Sequence, residues 1–108
     1  MKTTLVIAIA AAALCATVAH GRDAKELYEK DCAKCHGSDG RGETKMGKKL
    51  GAKDYTSAKV QAGVTDKAIF KSIKEGLKRD GKTLMKPAEG MSDEDIKGLV
   101  GYMRAFRK

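Results

Sequence analysis

The chain has 108 residues, 42% hydrophobic and 33% charged, a composition that describes one soluble domain and excludes disordered and fibrous classes. It carries a net charge of +8, with no Trp and only 5% aromatic residues. A nucleic-acid role is disfavoured by the few Arg residues and by the acidic residues interleaved with the lysines, so an acidic protein partner or an anionic membrane surface is the better match for the charge.

The first residues, MKTTLVIAIAAAALCATVAH, place one basic residue, Lys2, before an apolar run from Leu5 to Ala16 and small residues around Thr17, Ala19 and Gly21. This is the layout of a secretory signal peptide. The run falls short of the roughly 20 residues that span a bilayer, so the expected division is a cleaved leader over 1–21 and a mature domain over 22–108, exported or periplasmic and without stable membrane insertion. A lipidated Cys15 is disfavoured by the bulky Leu14 before it. Removing Lys2 with the leader leaves 21 basic against 14 acidic residues, a net +7. Cleavage also removes Cys15 and leaves Cys32 and Cys35 as the thiols of the domain. A domain this small and this poor in aromatics commonly recruits a staple or a cofactor to complete its core.

RDAKELYEKDCAKCHG predicts a first helix over 23–35, opened by Asp23 with Glu26 three residues on and closed at Gly37. The glycine-punctuated stretch SDGRGETKMGKKLGAKDYTS reads as loop. A short helix is expected from Thr56 to Gln61, with Val60 inward. TDKAIFKSIKEG predicts a helix capped by Thr65, with Ile69, Phe70 and Ile73 on one face and Gly76 as its stop. LKRDGKTLMKPAEG reads as irregular loop. The last helix is opened by Ser92, carries Asp93, Glu94 and Asp95 in its first turn, and bears an apolar stripe of Ile96, Leu99, Val100, Met103 and Phe106. Gly98 and Gly101 interrupt it, and at least one is expected to face a closely packed backbone or prosthetic group. No stretch alternates over strand length, so the domain is expected to be all-α with long ordered loops.

CAKCHG, residues 32 to 37, carries the chemistry. A structural zinc site requires four ligands, and the domain has no second CxxC, His20 being at or beyond the cleavage point. A thioredoxin-type pair belongs beside a βαβ unit, whose strands are missing. A plain disulfide suits an exported protein but leaves His36 without a role. C-x-x-C-H is also the attachment signature of covalent haem, in which both thiols become thioethers and the histidine behind them is directed at the iron.

KELYEKDCAKCHG, AIFKSIKEG and KTLMKPAEGMSDEDIKGLVGYMRAF together resemble the class I c-type cytochromes over essentially the whole mature region. The resemblance implies a cytochrome c fold, three to five short helices with long loops wrapped around one covalently bound haem c, attached through Cys32 and Cys35. It implies His36 and Met85 as axial iron ligands: Met85 lies where the family places its ligand, whereas Met103 belongs to the apolar stripe, Met91 to a core position and Met46 to a loop only ten residues past His36. The first and last helices are expected to cross with Ala24 or Tyr28 against Gly98, Leu99 and Tyr102. Two departures from the family pattern are visible. Lys86 intervenes between Met85 and Pro87, and no proline follows the attachment site to accept from the axial histidine, whose acceptor is unassigned. Tyr55 is the candidate for contact with the haem propionates.

The function so implied is that of a monomeric one-electron carrier and not an enzyme, with Lys45, Lys48, Lys49, Lys82 and Lys86 steering it onto acidic redox partner proteins. The alternative is a haem c enzyme, or a gas- or peroxide-reactive sensor with a displaceable sixth ligand.

Overall fold

The computed structural model describes residues 3–5 and 21–108, so Cys15 and all but the edges of the proposed leader lie outside the described residues. Six helices and one two-stranded hairpin follow in the order α1 (Ala24–Asp31), α2 (Ala33–His36), α3 (Lys45–Leu50), α4 (Ala58–Ala62), α5 (Asp66–Glu75), β1 (Leu77–Arg79), β2 (Lys82–Met85) and α6 (Asp93–Arg104). The helix-dominated architecture is the one expected, with three local differences.

The single helix expected over 23–35 is two. Asp23 caps α1 by accepting from the backbone N–H groups of Lys25 and Glu26, but at Cys32, whose φ is stretched to −114° (ψ −38°), α1 ends and α2 begins at the next residue. The second difference is α3, inside the stretch read as loop. Six residues with a central glycine carry no legible period; the helix is held by Thr44, whose Oγ1 accepts from Gly47 N–H while its hydroxyl lies 2.8 and 2.9 Å from the carbonyl oxygens of Lys34 and Cys35. That side chain fastens α3 to α2. The third is the hairpin. Its strands are too short for alternation to register, and the signal was the Asp80-Gly81 dipeptide, whose residues both adopt positive φ (52° and 76°), as a tight hairpin turn requires.

The short helix proposed near 56–61 is α4, capped by Ser57. Its inward residue is Gln61, which is buried, while Val60 is only half-buried. α5 starts and stops as its caps dictate, at Thr65 and Gly76, and buries Ile69 and Ile73. The Ser92 end of α6 is a full capping box, Ser92 accepting from Asp95 N–H and Asp95 from Ser92 N–H.

α1 crosses α6, and the core sits between them and α5: Leu27, Tyr28, Ile69, Ile73, Ile96, Leu99, Val100 and Met103 are buried. Tyr28 packs at 4.9 Å between ring centroids from Tyr102 and at 5.2 Å from Phe106. Gly98 faces Ala24, where an added methyl would sit in ordinary contact at 3.7 Å; at Gly101 it would meet nothing. Neither glycine of α6 is thus compelled by the packing around it. Gly101→Ala is expected to stabilise the protein by up to about 1 kcal/mol, read as a rise in Tm, since the alanine lowers the entropy of the unfolded chain and prefers the helix.

The residue two positions before α1, Arg22, is pinned to the start of α6. Arg22 donates from its backbone N–H and its Nε to the two carboxylate oxygens of Asp95, at 2.6 and 3.1 Å, and from its Nη2 to Gly90 O at 2.8 Å. These bonds, with that from Ser92 N–H, hold the Asp95 carboxyl down at about 2 against its usual 3.8. A carboxyl lowered on folding contributes stability that is fully present above its unfolded value and disappears as pH falls through its folded value. Asp95→Asn is therefore expected to lower Tm at neutral pH, with the gap to the unsubstituted protein closing between about pH 4 and pH 2 in an acid-unfolding series.

Candidate haem-binding site

The turn that carries the thiols is held from three sides. Within it, Cys32 N–H donates to Tyr28 O at 2.8 Å, His36 N–H to Cys32 O at 3.0 Å and Gly37 N–H to Ala33 O at 2.8 Å. From outside, the buried Tyr28 hydroxyl donates to Gly37 O at 2.5 Å, Thr44 donates to the carbonyls of Lys34 and Cys35, and Gly42 N–H donates to His36 O at 2.8 Å. The carbonyls left over at the end of α2 are thus satisfied, and a turn so bonded holds its side chains in fixed directions.

Both thiols are unbonded and half-buried. Burial raises the Cys32 thiol to about 11, so it is protonated at neutral pH, the opposite of the lowered thiol that a disulfide-exchange catalyst requires. His36 ends α2. Burial pushes its pKa down from the ordinary value, favouring the neutral imidazole that serves as a metal ligand. Its Nδ1 is buried without a hydrogen-bond partner, and no carbonyl takes the place of the missing proline.

Met85 comes from the end of β2. In the hairpin Leu77 pairs with Met85 and Lys78 with Thr83, so Leu84 is an extra residue on β2. Such a bulge redirects the side chain that follows it. The strand end is fixed by Ala88 N–H donating to Ile73 O at 2.9 Å and by Gly76, the stop of α5. Gly76 has φ 79°, and a Cβ there would lie 2.6 Å from Met85 O and 2.9 Å from the Pro87 ring. Only glycine meets both demands. Gly76→Ala is expected to displace Met85, seen as partial loss of any spectral signature of sulfur ligation together with a lowered Tm.

These paths converge. Cys32, His36 and Met85 line one cavity with Tyr55, Ile69, Ser72, Ile73, Leu99 and Met103. Cys35 is not among the lining residues. Met103 lines the cavity too, but from the buried stripe of α6, whereas Met46 and Met91 do not line it. Tyr55 stands edge-on to the His36 ring, 5.8 Å between centroids and 74° between planes, and burial raises its phenol. Ser72 was not singled out from the sequence; it is the single polar position on the inner face of α5, at the spacing of its neighbours Ile69 and Ile73.

The donor set selects the occupant. No group of three or more His, Cys, Asp or Glu able to hold a metal ion occurs among the described residues, so a structural zinc finds no site there. Two free thiols one helical turn apart, an imidazole kept neutral by burial, a thioether and a mostly apolar lining do fit a covalently held haem, whose iron accepts nitrogen and sulfur ligands. The lysines proposed to surround the site, Lys45, Lys48, Lys49, Lys82 and Lys86, are all exposed.

Comparison with known proteins agrees. Residues 19–103 match the family described as cytochrome c oxidase, cbb3-type, subunit III. The chain is 32% identical over 89 residues to cytochrome c-554(547) of Halothiobacillus neapolitanus, spanning 77% of this chain and 92% of that protein. It is also similar to the solved structure of the c-type cytochrome KustC0563, with a TM-score of 0.70 and 37% identity over 80% of this chain and 99% of that one. A mutant form of the same protein matches with a TM-score of 0.67, 35% identity and coverage of 79% and 99%.

Proposed function

The chain belongs to the c-type cytochrome family matched over residues 19–103 and carries covalently bound haem c, and on that premise we propose that it is an exported one-electron carrier with His36 and Met85 as axial ligands. Cys32 and Cys35 hold the haem as thioethers. The observation that carries this reading is that Cys32 and His36, from one turn, and Met85, from a hairpin distant in sequence, line one cavity.

The haem supplies a ferric/ferrous couple, and a thioether ligand favours its reduced side. The protein residues do the rest. The bonded turn of α2 directs His36, the bulged strand directs Met85, and with both positions filled no open site is left for a substrate. Ile69, Ile73 and Leu99 keep water from the cavity, which favours the less charged ferrous state. A seat for Met85 in the same cavity as His36 is what weighs against the open-iron enzyme or sensor.

The partners we propose are acidic redox proteins met by the exposed lysines. Lys82→Glu combined with Lys86→Glu is expected to slow electron exchange with such a partner at low salt, with the difference shrinking as ionic strength rises through the range where the Debye length falls to about 10 Å. Rates flat from low to high salt in the unsubstituted protein would contradict the steering. The leader over 1–21 and periplasmic delivery belong to the same proposal, tested by the N-terminal sequence of the exported protein. Covalent attachment is tested by acid-solvent extraction: Cys32→Ala with Cys35→Ala is expected to release the haem that the unsubstituted protein retains.

A further inference from the structure

Gln61 is a buried amide, 5% exposed, in a helix too short to need one. Its Nε2 donates to Tyr55 O at 2.7 Å and to Met103 O at 2.9 Å. Its Oε1 accepts from Arg104 Nη1 at 2.8 Å. The same guanidinium is fixed by Gln61 O at 2.7 Å, Val64 O at 2.6 Å and Asp66 Oδ1 at 2.6 Å. The two residues bridged by the amide, Tyr55 from the loop before α4 and Met103 from α6, both line the cavity. We infer that Gln61 is a positioning residue for the haem site: it holds the backbone of Tyr55 so that the ring stands against His36 and closes that wall to water.

The chemistry is specific to an amide. Two donors and one acceptor are needed at a single buried point, facing two carbonyl oxygens and one guanidinium. Glutamate would set an oxygen against the carbonyls, and leucine would leave Tyr55 O and an arginine N–H short of partners, each costly when buried. The rest of the Tyr55 loop is already fixed, by Tyr55 N–H donating to Gly40 O at 2.8 Å and Lys108 N–H to Thr56 O at 3.0 Å. Gln61 supplies the remaining restraint, and it ties the loop to α6. Water admitted beside His36 favours the more highly charged oxidised iron, so losing the restraint lowers the reduction potential.

This rests on the reading of His36 as an iron ligand. The test is a double-mutant cycle on the haem-loaded protein, Gln61→Leu and Tyr55→Leu alone and together, read by midpoint potential and by Tm. The expected result is a lower potential in Gln61→Leu and a much smaller further shift when Tyr55→Leu is already present. A Gln61→Leu protein with lowered Tm but unchanged potential would overturn the inference, as would equal potential shifts in both backgrounds. Should Gln61→Leu fail to accumulate, Gln61→Asn, too short to reach both carbonyls, goes through the same cycle. The spectrum of the unsubstituted protein reads the axial ligands separately, so failure of that assignment is distinguishable from failure of the role given to Gln61.

Discussion

Met85→Ala is expected to yield a protein that keeps its covalent haem, loses the weak far-red sulfur-to-ferric-iron band, has a lower midpoint potential and binds carbon monoxide when reduced. The proposed attachment residues, Cys32 at the cap of α2 and Cys35 within it, lie in a turn held by hydrogen bonds from Tyr28, Gly42 and Thr44 and by none from the hairpin. On the proposed ligation, removing the methionine therefore leaves attachment intact and opens one position on the iron. Axial ligation is the strongest lever on potential, commanding about 0.8 V across haem proteins, so the fall should exceed that of any second-sphere change, Gln61→Leu included. The same substitution at Met91, which packs on the core outside the cavity, is expected to leave the band in place. Loss of the band in Met91→Ala and its retention in Met85→Ala would reverse the assignment.

Leu99→Ala is expected to cost about 2–5 kcal/mol of stability, the range for emptying a buried leucine site. Leu99 has no exposed surface and belongs at once to the core between α1, α5 and α6 and to the cavity wall. A domain of this size has only about 5–15 kcal/mol in total, so the substituted protein should unfold at markedly lower denaturant concentration and retain haem less readily during maturation. A change below 1 kcal/mol in urea-induced unfolding would mean that the site collapses around the smaller side chain.

What the sequence made legible follows from where its signals are local. Asp23, Thr65 and Ser92 are side-chain caps whose partners lie two or three residues away, so α1, α5 and α6 were readable with their starts. CxxCH and the stripe on α6 are likewise local patterns. The hairpin and α3 escaped because three to six residues carry no period; only Asp80-Gly81 and Thr44 announced them. Gln61 and Arg104 escaped for a different reason: their partners are about 40 positions away, and nothing in AKVQAG distinguishes a bridging amide from a solvated one. The route by which Met85 reaches the cavity, through a bulge at Leu84 and the bare backbone of Gly76, is also a property of pairing and close approach, beyond the reach of composition.

The central claim is that one cavity holds a covalent haem between His36 and Met85, and the absorption spectrum of the exported protein, oxidised and reduced, tests it most directly. The account predicts a red protein whose haem resists acid-solvent extraction, low-spin when reduced, with the far-red sulfur band when oxidised. A covalent haem without that band, binding carbon monoxide in the reduced state without denaturant, would contradict it.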